Sequence, residues 1–399
     1  MGLQLKWVKN SYKKSEMAWE SKVLKENTHK EVMKFHESFK EYQKTPFISL
    51  ENLAEHLGVA SVYVKDESYR FNLNAFKVLG ASYAIGKTLA QFLEKDINDT
   101  PFSYLKSDEV KEAIKGVKLT ATTDGNHGRG VAWTGQQLDL DVNIYMPKGS
   151  TQNRLDHILK LGASGQITEF NYDDTIRYMI EKDKDSHVKI IQDTAWEGYT
   201  DVPVWIMQGY VTVAAEMIEA LGDKVPTHIF LQAGVGAFAG VMAEAFRMTY
   251  KEKAPYVIVV EADAADCFYE SIKSGEVKNI SGDMNTIMAG LACGEPNPIA
   301  WDILKENADC FIAASDEVTA KGMRMLANPL GTDSRIISGE SGAVTTGVLG
   351  VIAGDSQYKA LKEQLQIGPE SVIVLVSTEG NTDPEIYQDV VWDGKYPSF

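Results

Sequence analysis

The spacing of apolar positions divides the chain into short strand-like runs and longer helical ones. Behind the run Thr45-Pro46-Phe47-Ile48-Ser49, the residues Leu50, Leu53 and Leu57 fall at helical spacing. Residues 62–67 read as a strand ending in charge, and an apolar helix opens directly after it at Lys77. From about residue 89 strands and helices alternate. Strands at 119–123, 142–146, 166–170 and 188–192 enclose helices at about 129–138, 152–161 and 175–182, the pattern of a doubly wound unit. A second series has a helix at 206–221 and strands at 227–232 and 257–261. After an irregular stretch through 293–298 it continues with a strand at 310–314, helices around Lys321 and Thr346, and a last strand at 372–376. Residues 6–42 are polar and charge-rich, with short helical patterns such as Glu31, Val32, Phe35 and Phe39, and read as a surface or dimer-facing arm. The expected fold class is α/β, with two doubly wound domains: a small one at 88–195 inserted into a large one built from 1–87 and 196–399, the arm being 1–44. No Pro-rich or Gly/Ser-rich linker separates the two series, so they are expected to share a large interface.

Composition narrows the class without changing this picture. The chain has 399 residues, 44% of them hydrophobic, enough for a large core in two or three domains. A net charge of -16 argues against a nucleic-acid or anionic-membrane partner, since either calls for a basic face. No apolar run approaches spanning length and the N-terminus lacks a signal-peptide core, so the expected location is the cytosol. The three cysteines, Cys267, Cys293 and Cys310, have no metal-ligand spacing and leave one over after any pairing. No metal site is expected; a Cys267–Cys293 link stays open.

Four glycine-containing turns sit at strand ends, where open α/β sheets bind ligands. The run Gly234-Val235-Gly236-Ala237-Phe238-Ala239-Gly240 lets backbone amides converge on an anion at a helix start, so a phosphate is its natural guest. The same run satisfies the dinucleotide pattern through Gly234, Gly236 and Ala239, and Glu261 closes the next strand where a ribose-binding acid would lie. A dinucleotide-dependent oxidoreductase therefore stays in view. The turn Thr122-Thr123-Asp124-Gly125-Asn126-His127-Gly128 offers amides to a substrate carboxylate and an Asn126 side chain able to donate to a phenolate-like oxygen; His127 fits a structural turn residue as well as a proton carrier. Ser377-Thr378-Glu379-Gly380-Asn381 puts two hydroxyls at the end of the last strand, and Ser338-Gly339-Glu340-Ser341-Gly342-Ala343 opens a helix beside it, either as a crevice wall or as an ordinary cap. Lys77, among Phe76, Val78 and Leu79, is suited to a partly desolvated amine that serves as nucleophile and base, or to a lysine snorkelling from a helix start.

Taken in order, Lys77 within Asn-Ala-Phe-Lys-Val-Leu-Gly-Ala, the Gly125-Asn126-His127-Gly128 loop, the Gly234-Val235-Gly236 loop, Glu340-Ser341-Gly342-Ala343 and the terminal Ser-Thr-x-Gly-Asn resemble the fold type II pyridoxal-phosphate enzymes, from about Thr45 to Asp383. That family includes threonine and serine dehydratases, cysteine synthase and the tryptophan synthase β chain. The runs Thr-Thr-Asp-Gly-Asn-His-Gly-Arg-Gly, Gln-Asp-Thr-Ala-Trp-Glu-Gly-Tyr and Met-Ala-Gly-Leu-x-Cys-Gly-Glu-Pro are similar to those of its ammonia-lyases acting on 2,3-diaminopropionate.

The resemblance implies that the cofactor, pyridoxal 5'-phosphate, lies in a cleft between the two domains of a homodimer's subunit. Lys77 would carry it, Gly234, Val235, Gly236, Ala237 and Phe238 would cradle its phosphate, Asn126 would bond its ring oxygen, and Thr378 or Ser377 would face its ring nitrogen. Thr123, Asp124, Gly125 and His127 would meet a small amino-acid substrate. Asp124 stands where dehydratases carry serine or threonine. A carboxylate there would pair with a β-ammonium and disfavour a neutral β-hydroxyl. Asp193, at the end of strand 188–192, would be a second catalytic carboxylate; on its own it would read as a turn cap. The reaction implied is elimination of ammonia from 2,3-diaminopropionate, L and also D, giving pyruvate and two ammonia. A serine or threonine dehydratase is the alternative.

Overall fold

The apolar runs fold into two separate sheets. The computed structural model describes residues 3–123 and 125–398. Among them the strands are β1 (Leu5–Lys9), β2 (Phe47–Ser49), β3 (Ser61–Asp66), β4 (Lys118–Thr122), β5 (Asp141–Met146), β6 (Ser164–Ile167), β7 (Val188–Ile190), β8 (His228–Gln232), β9 (Tyr256–Ala262), β10 (Cys310–Ala314) and β11 (Val372–Ser377). The larger sheet has the order β1-β10-β9-β8-β11-β3-β2, parallel except for its two edge strands. The smaller, wholly parallel sheet has the order β6-β5-β4-β7. The central strands of the large sheet are buried along their length, which is why they read as continuous apolar runs such as Val-Ile-Val-Leu-Val in β11.

In each sheet the chain reverses its direction of travel across the strands at one point. After β8 it moves outward to β9 and β10, and β11 returns on the other side of β8. After β4 it moves to β5 and β6, and β7 returns on the other side of β4. A parallel sheet opens a crevice above its carboxyl ends at such a point. The crevice residues are therefore Ala233 and Gly234 after β8, Thr378 after β11, Thr123 and Gly125 after β4, and Asp193 just after β7.

Three expectations need correction. The segment read as a surface arm is built into the body: β1 pairs antiparallel with β10, and the helix Thr28–Glu37 buries Val32 and Phe35, while Phe39 stacks on Phe102 at 3.8 Å. Its charged residues face outward and hid a narrow apolar stripe. The strand expected at 166–170 begins earlier and ends at Ile167, although the Thr168 amide still reaches the Met146 carbonyl at 2.8 Å. The division placed between 87 and 88 falls inside the continuous helix Val78–Phe92.

That helix lies against the helix Asp201–Leu221 at almost backbone contact. A Cβ on Gly209 would sit 2.6 Å from the Leu79 carbonyl oxygen, and one on Gly80 would sit 2.5 Å from the Tyr210 ring. Beside this contact, Lys65, Arg70, Glu67 and Glu216 form a fully buried ion cluster, with Lys65 Nζ 2.6 Å and Arg70 Nη1 2.8 Å from the Glu216 carboxylate. The glycine contact fixes the start of the Val78–Phe92 helix, and the ion cluster ties β3 and the turn after it to the Asp201–Leu221 helix. Gly209→Ala is expected to lower stability by about 1–3 kcal/mol, because the obstacle is backbone and cannot rotate away. A urea midpoint unchanged from the wild type would contradict this packing.

Candidate active site

Four helices point their amino ends into one cleft between the sheets: Val78–Phe92, Asn126–Gln137, Ala237–Tyr250 and Glu340–Gly354. Each brings the positive end of its dipole, so the cleft suits an anionic guest. Lys77 caps the first helix and reaches the cleft with its amine, its side chain 17% exposed.

The loop after β8 is shaped for close approach. Gly236 has φ +86°, and a Cβ there would collide with the Phe268 ring; a Cβ on Gly234 would lie 2.8 Å from the Gly290 carbonyl oxygen. Side chains are thereby excluded and the backbone itself forms the wall. Among the described residues none accepts from the amides of Gly234, Val235, Gly236, Ala237 and Phe238. Phe238 and Tyr210 pack on Phe76, with ring centroids at 4.6 and 4.7 Å, and so hold the residue before Lys77.

Asp193 meets Lys77 across the cleft, Oδ2 to Nζ 3.5 Å. Its other oxygen accepts from Tyr172 Oη at 2.8 Å and Gln192 Nε2 at 3.1 Å. Burial opposes the charged form of this carboxyl, but the Lys77 ammonium, His127 and the Tyr172 hydroxyl outweigh it and hold Asp193 below the usual carboxylate range. Lys77, expected to be desolvated among apolar neighbours, is thus ion-paired.

Other expected residues are distributed unevenly. Asn126 lines the cleft and donates through Nδ2 to Glu379 Oε2. Thr378 lines it; Ser377 does not, its hydroxyl donating to Ser338 Oγ at 2.8 Å. Thr123 acts on its own loop, Oγ1 accepting from the amides of Gly125 and Gly128 at 2.9 Å each. Gly125 takes φ +142°, with Arg154 packed behind it. The His127 ring is buried, Nε2 lying 2.6 Å from the Ile191 carbonyl oxygen, so it ties the loop after β4 to the end of β7 and is not a cleft wall. Asp124 lies outside the described residues.

Sequence reasoning missed Glu379, Gln232, Tyr172 and Tyr210. Glu379 is the variable position in Ser-Thr-x-Gly-Asn. It is buried, accepts from the Ser341 amide at 3.1 Å and holds Asn126 from the opposite sheet. Ser341 does line the crevice. Behind it burial pushes the Glu340 carboxyl up, with Arg154 Nη2 3.9 Å away pulling it back. Glu261, the candidate ribose acid, is fully buried and accepts from the amides of Phe268 and Tyr269 at 2.8 and 2.7 Å. It caps the helix Cys267–Ser274 and faces no cleft, which removes the dinucleotide reading. The three cysteines are buried free thiols.

A glycine-walled anion cradle, an amine-bearing lysine at its mouth and a hydroxyl at the neighbouring strand end on this doubly wound scaffold define a pyridoxal-phosphate enzyme of fold type II. The chain belongs to that family: residues 39–379 match the family model of the pyridoxal-phosphate dependent enzymes. More particularly, it is 48% identical over 380 residues to the diaminopropionate ammonia-lyase of Escherichia coli strain K12, covering 94% of each chain. The structure superposes on that of the E. coli diaminopropionate ammonia lyase in complex with D-serine at a TM-score of 0.94, and on its complex with an aminoacrylate-PLP azomethine reaction intermediate at 0.91. Both have 44% sequence identity and cover 100% of this chain and 99% of the other. The cofactor is pyridoxal phosphate. The residues fit it: Gly234 and Gly236 keep the loop free of side chains, no described residue accepts from the loop amides, and Lys77 faces the same space. Among the described residues no group of three His, Cys, Asp or Glu could hold a metal ion, and no helix is long and apolar enough to cross a membrane.

Because folding lowers the Asp193 carboxyl, its charge stabilises the native chain. That contribution is complete above the unfolded value, about 3.9, and is lost as pH falls through the lower folded value. In the cofactor-free protein, Asp193→Asn is expected to melt below wild type at about pH 6, with the gap closing below about pH 4. A gap in calorimetry that does not vary with pH would contradict the pairing.

Proposed function

We propose that the chain catalyses elimination of ammonia from 2,3-diaminopropionate, giving pyruvate and two ammonia. The observation that carries this is the buried Asp193 carboxylate set 3.5 Å from the Lys77 amine, in a cleft onto which four helix starts open. The high identity to diaminopropionate ammonia-lyase over nearly the whole chain supports it.

Bound pyridoxal phosphate supplies the electron sink for negative charge at the substrate α-carbon. In this reading Lys77 holds it covalently, the amides of Gly234 to Phe238 hold its phosphate, and the second N–H of Asn126, oriented by Glu379, is left for its ring oxygen. Thr378, not Ser377, faces its ring nitrogen. The amides of Asn126 and His127, at the start of their helix, take the substrate carboxylate. Released by the incoming substrate amine, Lys77 removes the α-proton of the L-isomer. The bond from the β-carbon to nitrogen breaks with its electron pair going to nitrogen, which leaves as ammonia once an adjacent acid has protonated it. Asp193 would keep the Lys77 side chain oriented into the cleft. Asp124 is that adjacent acid: it holds the β-nitrogen in its protonated form until the bond breaks, and it serves as base for the D-isomer. The product, 2-aminoacrylate, takes up water and yields pyruvate and the second ammonia. The sheet β6-β5-β4-β7 with its helices forms the smaller domain, and the enzyme works as a cytosolic homodimer, whose assembly light scattering would check.

Purified holoprotein is expected to form pyruvate from DL-2,3-diaminopropionate with kcat/KM about a hundredfold or more above that for L-serine. Turnover of serine alone would move the enzyme to the dehydratases. Asp193→Asn is expected to cost about 10²–10⁴-fold in kcat. Asp124→Asn is expected to lose activity on the D-isomer only; undiminished D-activity would defeat the role given to Asp124.

A further inference from the structure

Gln232 ends β8 and is buried, yet its amide is committed to the neighbouring strand. Nε2 lies 2.9 Å from the Val376 carbonyl oxygen, 3.1 Å from Thr378 Oγ1 and 3.2 Å from the Ser341 carbonyl oxygen. Two of those three neighbours are carbonyls, which only accept. Turning the amide over would set its own oxygen against both of them, so the nitrogen must face this way. It does so although Oε1 has no hydrogen-bond partner among the described residues.

We propose that Gln232 is a positioning residue that fixes the direction in which the Thr378 hydroxyl donates. An amide nitrogen cannot accept a hydrogen bond, so the Thr378 proton cannot point at Gln232 and Oγ1 serves there as acceptor. No described residue accepts from the Thr378 hydroxyl. A buried hydroxyl with its lone pair occupied on one side and its proton unclaimed is a directed donor, and Thr378 lines the cleft. Its complement is an aromatic nitrogen carrying a lone pair, the unprotonated ring nitrogen of the cofactor. A protonated nitrogen could use only the second lone pair of Oγ1 and would leave the hydroxyl proton buried without an acceptor, which disfavours it. Gln232 thereby sets the protonation state of the ring from the strand next to the residue that touches it. This rests on the placement of Thr378 given above.

The test compares binding of pyridoxal phosphate with that of 1-deazapyridoxal phosphate, in which a CH group replaces the ring nitrogen, to cofactor-free protein. Dissociation constants are read from tryptophan fluorescence and visible absorption. Wild type is expected to prefer the natural cofactor by about fivefold, the worth of one hydrogen bond. In Gln232→Met, and in the milder Gln232→Asn should the first not fold, that ratio is expected to fall to within about twofold of unity. A purely structural Gln232 would weaken both ligands equally and keep the ratio, which would overturn the proposal; so would a wild type with no preference. Thr378→Val separates the two levels. If it keeps the wild-type ratio, the placement of Thr378 against the ring fails. If it loses the ratio while the Gln232 variants keep it, only the role of Gln232 fails.

Discussion

Two parallel strands that lead the chain to opposite sides leave nothing above their carboxyl ends to pair with, and this chain uses that constraint twice. The ladder between β8 and β11 pairs Ile373 with His228 and Val374 with Ile229; past it the two strands are joined by the Gln232 side chain. The ladder between β4 and β7 runs to Ile190, after which the Gln192 side chain takes the Thr122 amide and His127 takes the Ile191 carbonyl. In both sheets a glutamine and short side-chain bonds close the gap that the backbone leaves, and the loops beyond stay free to face a guest. The active site is the space between those two openings, and the loop after β8 offers it unpaired backbone amides because no ladder reaches them.

Charge balance follows from that arrangement. Four helix starts and Lys77 make the cleft positive, and the chain answers with carboxylates whose surroundings differ. Asp193 is held charged by Lys77 and the Tyr172 hydroxyl. Glu379 is saturated by Asn126 and the Ser341 amide, which crosslinks the two sheets at the same time. Glu340, with only Arg154 at 3.9 Å, is pushed toward its neutral form by burial. Three buried acids around one cleft therefore have three separate tasks: pairing with an amine, orienting an amide, and packing at a helix start. The Glu379 charge adds to burial in pushing Glu340 up, so the two neighbouring acids are not charged to the same degree.

Legibility from sequence tracked how local the cause was. Parallel central strands announce themselves by continuous apolar runs, so β10 was read to the residue and β4, β5, β8, β9 and β11 to within one. Edge strands β1 and β2 bury one face or less and show no such run; Leu5 is the one fully buried residue of β1. The glycine loops were legible because only glycine tolerates φ +86° at position 236 or the approach of Gly290 at 234. Glu379, Gln232 and Tyr172 were not, since each acts through a partner far away in the chain: Gln232 meets Thr378 146 residues on. His127 and Ser377 were over-read for the same reason in reverse. A polar residue beside a functional one has equal local credentials, and its hydrogen-bond partner decides, here Ile191 and Ser338.

The glycine motif shows how far a short pattern can carry an assignment. Gly234, Gly236 and Ala239 satisfy a dinucleotide fingerprint, and Glu261 stands at the end of the next strand as that fingerprint asks. The loop does what the pattern promises: it brings backbone close to an anion at a helix start. What fails is the acid. Its two oxygens are already taken by the Phe268 and Tyr269 amides, and the Phe268 ring in turn fills the space behind Gly236. The residue that would have read a ribose instead anchors the helix that shapes the phosphate loop. An anion site is a property of the turn, whereas the identity of its guest is set by what the neighbouring strand ends present. Here they present Thr378 and, from across the cleft, Lys77 paired with Asp193.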